Sequence, residues 1–310
     1  MYKDNKLRAM KKICIGLLIV PFLLNAQEIH KSYFPRTLNL AGNVIKTSFK
    51  TIPSDFVYMG KNVSEDWKKT ALYTGIVGAL VLVDKPVTQF YQEEIETRID
   101  YTIPRFSNID FPWLEGNDAY MFYAMAGTYV GSFFGGYEKG QYAAINGFKA
   151  LGYSILVSQV ILKTIFGRAR PYNSLKDKNA DFDSATDNPF DFFNSRNGDH
   201  IYGNFSGTSL PSLHATAFFA MAKVFQMEFD NYWIPYGFMT AVFLAEIKEH
   251  RHWVSDMVAG GIIGTVIGRS IVRSSWRARG ILPNKEKEIS FQWMPSISSR
   301  YNGLTLVATF

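Results

Sequence analysis

Cysteine is almost missing from this 310-residue chain, where Cys14 stands alone. With Cys14 inside an N-terminal apolar run, a processed chain has no disulfide, no thiolate nucleophile and no thiolate ligand. Histidine is scarce as well, five in all. An excess of one charge is also lacking. The formal net charge is +6, yet residues 1–26 hold Lys3, Lys6, Arg8, Lys11 and Lys12 against Asp4. The remaining 28 basic and 26 acidic residues nearly balance, which argues against nucleic acid as a partner. Charged residues make up only 19% and hydrophobic ones 47%, so the chain is neither disordered nor collagen-like.

What is present begins with an export signal. A basic stretch precedes the apolar run Ile13 to Leu24, and Leu24-Asn25-Ala26 offers a small residue before Gln27. The run is short for a membrane span, so residues 1–26 read as a cleaved signal peptide and the protein as exported, periplasmic or on the periplasmic face of a membrane. Residues 27–66 show no sustained period and read as an extended or partly helical lead-in. Six apolar segments of helical length follow: Ala71–Val83, Tyr120–Phe134, Ala143–Phe166, Leu213–Phe225, Tyr232–Ile247 and Asp256–Val272. They predict an all-α domain over 67–275, a bundle of about six helices. Gly260, Gly264 and Gly268 in the last segment would let another helix approach closely. Most segments hold or adjoin a charged residue, and the mean hydropathy is −0.05. That favours a soluble or membrane-peripheral bundle over six spans. In the tail, 276–310, Ile289, Phe291 and Trp293 alternate, as do Leu304, Leu306, Ala308 and Phe310. With Asn302-Gly303 as a tight-turn signal, they predict a short C-terminal β-hairpin packed on the bundle.

Three groups of residues could carry chemistry. Lys163 and Arg170 lie seven apart, two turns on one helical face, with Pro171 ending the helix. Two such cations on an apolar segment either snorkel to water or face an anion. Ser212 and His214, after Pro211, sit at a helix start. There Ser212 is either a plain N-cap or part of an anion site. His252 and Asp256 would be one helical turn apart, either orienting each other on a wet surface or leaving one imidazole nitrogen free to attack. His250 and His252 form a His-x-His pair, but no third ligand has metal-site spacing. The acids Asp177, Asp181, Asp183, Asp187 and Asp191 lack the glycine and terminal Glu of a calcium loop, and read as a solvated lid.

Together these groups resemble the phosphatidic acid phosphatase type 2 (PAP2) superfamily, which includes bacterial acid phosphatases, lipid phosphatases and vanadium haloperoxidases. The pattern K-x6-R-P is complete from Lys163 to Arg170-Pro171. P-S-G-H reads Pro211-Ser212-Leu213-His214, and S-R-x5-H-x3-D keeps His252 and Asp256 with Ala245-Glu246 in place of Ser-Arg. The resemblance covers roughly Ala71 to Val272. It implies a metal-independent phosphatase with no cofactor, acting on phosphate monoesters or on lipid or isoprenoid phosphates. In that scheme His252 is the nucleophile, Asp256 its orienting partner and His214 the acid–base. Lys163, Arg170, Ser212 and the Leu213 N–H would hold the phosphate. Glu246 reverses the sign of a phosphate-binding Arg, and Lys248, Arg251 and Arg168 are candidates to replace it. The alternative is a catalytically impaired anion-binding or scaffold protein.

Overall fold

The computed structural model describes residues 33–104, 116–179, 184–194, 207–246, 252–281, 290–298 and 301–309. The signal segment 1–26, Lys248, His250 and Arg251 lie outside the described residues. The domain is helical. Helices α1 (Tyr33–Lys50), α2 (Ile52–Ser64), α3 (Trp67–Leu82) and α4 (Asp84–Phe90) come first, the last running on through a π turn and a 3-10 turn to Arg98. Then come α5 (Ala119–Phe134), α6 (Glu138–Phe166), α7 (Leu213–Phe229), α8 (Trp233–Glu246) and α9 (Val254–Ala278). Among the described residues, each of the six apolar segments lies in a helix to within a residue at its ends. Within α6 the stretch Ile155–Leu162 is π-helical.

The helix starts follow local chemistry. Pro53 sits in the first turn of α2, where its missing N–H costs nothing. Asp66 caps α3 by accepting from the Lys69 N–H at 3.3 Å. Ser212 caps α7, accepting from the Ala215 N–H at 3.4 Å. The lead-in is more ordered than its sequence suggests. Its helices α1 and α2 dock by polar contacts that periodicity does not reveal. Lys149 of α6 reaches Asp55 of α2 at 2.5 Å, and Tyr153 donates to the same carboxylate at 2.8 Å. Asn62 donates to Ser270 of α9 and accepts from Arg273.

Helices α7 and α9 form the central crossing. Met121, Met125, Phe218, Met221 and Phe243 pack on one side of α7, and Val224, Ile267 and Ile271 on the other. The glycine row makes the crossing tight. A Cβ at Gly260 would stand 2.6 Å from the Ser212 carbonyl oxygen, and side chains at Gly264 and Gly268 would overlap the carbonyl oxygens of Thr216 and Ala220. The crossing therefore fixes the start of α7 against the start of α9.

The surface is unusually apolar. Helix α3 has no buried residue, and exposes Trp67, Leu72, Ile76 and Leu82. Two helices among the described residues, Glu138–Phe166 and Val254–Ala278, are long and apolar enough to cross a membrane. The bent pair Trp67–Leu82 and Asp84–Arg98, at 77°, would be a third. The low mean hydropathy averages these surfaces with charged connectors, and so understates the contact with a membrane that they permit.

In the tail, strands β1 (Ser290–Ser298) and β2 (Tyr301–Thr309) pair antiparallel, with Ser290 opposite Thr309 and Ser298 opposite Tyr301. Asn302-Gly303 therefore lies inside β2, opposite Ile297 and Ser296, and not at the turn where its composition placed it. This register sets Phe291 and Trp293 opposite Ala308 and Leu306, so alternation outweighs the local turn signal.

Replacing Gly264 by Ala is expected to force α9 away from α7 and lower stability by about 1–3 kcal/mol, the usual cost of overpacking. Thermal unfolding of the variant checks this, with Gly261→Ala, whose Cβ would meet only ordinary contacts at 3.6 Å or more, as the tolerated control.

Candidate active site

The site gathers at the crossing, where the end of α6, the start of α7 and the start of α9 meet. Helix α6 stops at Phe166 because Gly167 takes the left-handed conformation, φ 49°, that glycine adopts without strain. Arg170 is therefore not on the helical face of Lys163, as a helix running to Pro171 would place it. It lies on an extended segment beside Thr208, donating from Nε to Thr208 Oγ1 at 3.1 Å. Both cations are nonetheless buried, Lys163 at 2% and Arg170 at 8% exposure. Lys163 Nζ donates to Gln159 Oε1 at 2.7 Å, one turn back.

Helix α7 contributes Ser212, fully buried, and His214, whose side chain is 36% exposed. As the first residue of α7, Leu213 has no carbonyl within the helix for its N–H to reach. His214 Nε2 lies 3.1 Å from Asp118 Oδ2 at the start of α5.

His252 precedes α9, which opens at Val254 with Trp253 as N-cap, so His252 and Asp256 are not one turn apart on a helix. Their approach is 3.8 Å between Nδ1 and Oδ2, too long for a hydrogen bond. The Asp256 carboxylate is occupied elsewhere. It accepts from Ser209 Oγ at 2.5 Å, from the Trp253 N–H at 3.0 Å and from Arg168 Nη1 at 2.7 Å. Burial, and then the Arg170 cation, pull the His252 pKa down from 6.5 to about 3, against the opposing pull of Asp256. The imidazole is thus neutral at ordinary pH, with a lone pair to offer.

Arg168 does not replace a missing phosphate ligand. It is fully buried and faces away from that role, bridging Asp256 to Asp84 of α4 at 2.8 Å. Both Nε and Nη2 donate to the Pro189 carbonyl, and its plane lies over Trp253 and Phe192. Ser255 and Asp84 hydrogen-bond as well, which ties α4 to α9. The described part of the acidic segment is laced to the same chain. Ala169 N donates to Asp191 O and Thr186 N to Arg170 O, while Lys85 and Lys178 pair with Asp187.

Glu246 does not turn away from the site. A carboxylate oxygen of Glu246, one of Asp118 and a ring nitrogen of His214 all lie within 4.8 Å of one another. Asp84, Asp118 and Ser209 escaped the sequence reading. Asp84 could have been noticed as an acid closing an apolar run directly before Lys85-Pro86, whereas Asp118 looks like an ordinary cap in Gly116-Asn117-Asp118.

The structure is helical, with Lys163, Arg170 and His252 buried close together and the start of α7 bonded to the start of α9. Residues 147–279 match the family model of the PAP2 superfamily, which supports membership of that superfamily. The match takes in Lys163, Arg170, Ser212, His214, Glu246, His252 and Asp256; Asp84 and Asp118 lie before it. No curated protein and no solved structure matches the chain.

Two outcomes are expected. Arg168→Ala strands two buried carboxylates and should cost about 3–5 kcal/mol, read by denaturant or thermal unfolding. The depressed pKa of His252 means that the unfolded chain binds a proton first as pH falls. Its contribution is complete above about pH 6.5 and is lost progressively as pH drops toward 3. Between pH 7 and 5 the wild type should lose roughly 1–2 kcal/mol more than His252→Gln, measured in parallel unfolding curves.

Proposed function

We propose that the protein is a metal-independent, membrane-associated phosphatase that hydrolyses phosphate monoesters through a phosphohistidine. The observation that carries this reading is the burial of His252, Lys163 and Arg170 in the stretch that matches the PAP2 family model. Such a site is costly to build unless an anion completes it. In the first step the free nitrogen of His252 attacks phosphorus in line, and the bond to the leaving alkoxide breaks as His214 gives it a proton. Lys163, Arg170, Ser212 and the Leu213 N–H hold the equatorial oxygens as their charge grows. Asp256 balances the imidazolium charge by its field. In the second step His214 takes a proton from water, whose oxygen displaces the histidine nitrogen from phosphorus.

The exposed apolar faces of α3, α5 and α8, with Leu82, Phe134 and Trp233 at 58% exposure or more, support contact with lipid. A lipid-borne phosphate would then reach the site from the bilayer. An exported location, with 1–26 removed, belongs to the same proposal. A non-catalytic anion-binding protein is the second reading, favoured by the carboxylate of Glu246 at the mouth.

Phosphate release from a panel of water-soluble and micellar lipid phosphates tests the proposal. Vanadate should inhibit competitively, EDTA should leave activity in place, and His252→Ala should lower kcat by about 10³-fold or more. Activity that EDTA abolishes and magnesium restores would overturn the mechanism. Anion binding without turnover in the wild type would favour the second reading.

A further inference from the structure

We propose that Asp118, His214 and Glu246 form a binding site for a divalent cation of the zinc class, and that its occupancy silences the proton donor of the phosphate site. The second half of this statement rests on the reading of His214 as that donor. The first half does not.

The ligand set is one imidazole and two carboxylates, suited to Zn²⁺, Co²⁺ or Mn²⁺ rather than to thiophilic ions. Each ligand comes from a different helix, α5, α7 and α8, so the tertiary fold and not a local loop brings them together. Their donor atoms lie within 4.8 Å of one another. Ligands of a tetrahedral zinc, with bonds of ~2.0–2.2 Å, stand roughly 3.3–3.5 Å apart. A closure of about 1 Å completes the site, and all three side chains are only partly buried, which leaves them room to move.

A second feature points to a ligand. Asp118 Oδ1 is cut off from solvent and has no hydrogen-bond partner, while Oδ2 engages His214. Asp118 holds the N-cap position of α5 but makes no capping bond, so its carboxylate serves the cluster and not the helix. An orphaned buried acceptor is a standing cost that a cation would relieve. Glu246 adds a second negative charge at the position where the resemblance places a guanidinium. A carboxylate there is unfavourable beside a bound phosphate, whereas beside a cation it is a ligand.

A metal on His214 Nε2 takes the lone pair that must carry the proton to the leaving group. Turnover then stops without any loss of the phosphate-binding cations. The metal is no part of the chemistry in this scheme, and a chelator leaves activity at or above its starting level.

The test titrates the purified protein with Co²⁺ alone, reading its visible absorption, and separately measures Zn²⁺ inhibition of p-nitrophenyl phosphate hydrolysis. Wild type should bind Co²⁺ saturably, with Zn²⁺ displacing it. Asp118→Asn and Glu246→Gln should each weaken binding by about tenfold or more, and raise the half-inhibiting Zn²⁺ concentration in step. Glu246→Asp, which keeps a carboxylate, should retain binding, and melting curves confirm that the variants fold. No saturable Co²⁺ spectrum in the wild type, or unchanged affinity in both folded variants, overturns the site. Binding that the variants weaken, with no inhibition by Zn²⁺ in the wild type, keeps the site and removes His214 from the role of proton donor.

Discussion

The buried Arg168 guanidinium is the interaction on which the rest of the site depends. It joins Asp84 of α4 to Asp256 of α9, and through Pro189 it also holds the strap that covers them. A charge with no exposure is tolerated only when its donors are met, and here Nε, Nη1 and Nη2 all are. Such a triad adds little net stability over a well-packed apolar group. Its contribution is geometric, because a guanidinium between two carboxylates admits few arrangements. With Asp256 held this way, and Ser209 and Trp253 on its other oxygen, the carboxylate next to His252 has almost no freedom.

The glycine row supplies the second constraint. Because α7 and α9 touch backbone to backbone, the Ser212 N–H reaches the Asp256 carbonyl at 3.0 Å. The anion-binding start of one helix is thereby bonded to the start of the other. A looser crossing, with side chains between the helices, would separate Ser212 and His214 from His252. The polar docking of α2 through Asp55, Lys149 and Asn62 braces the far ends of α6 and α9. On the proposed reading, precision at the phosphate position thus comes from contacts that never touch phosphate.

Much of this was legible in the sequence, because apolar periodicity and residue spacing are local properties. The long apolar segments and the glycine row fall where patterning places them, whereas Arg170 leaves the helical face of Lys163 and His252 precedes α9. What was not legible depends on contacts between distant segments. Arg168 and Arg170 are two residues apart and chemically alike, yet one is locked between Asp84 and Asp256 while the other turns toward Thr208 and His252. Nothing local distinguishes them. The lead-in reads as only partly helical because its buried apolar residues, Ala41 and Val44, and the partly buried Met59 are interleaved with a polar interface of Asp55, Lys149, Ser54 and Ser274.

Glu246 shows how a departure from a family pattern can be coherent. In isolation, a carboxylate where a guanidinium is expected only weakens an anion site. Here it comes with Asp118, an acid from outside the residues that match the family model, and the two meet at His214. On the proposed reading, the anion falls to the buried side chains of Lys163 and Arg170. The carboxylates of Asp118 and Glu246 lie close to His214, and that of Asp256 lies 3.8 Å from His252. The two histidines sit in different surroundings: burial, and then the Arg170 cation, lowers the His252 pKa, while His214 lies beside the carboxylates of Asp118 and Glu246. A nucleophile needs the first setting and a group that handles protons needs the second. On the proposed reading, the carboxylate that stands where a guanidinium is expected lies beside the acid–base imidazole of His214.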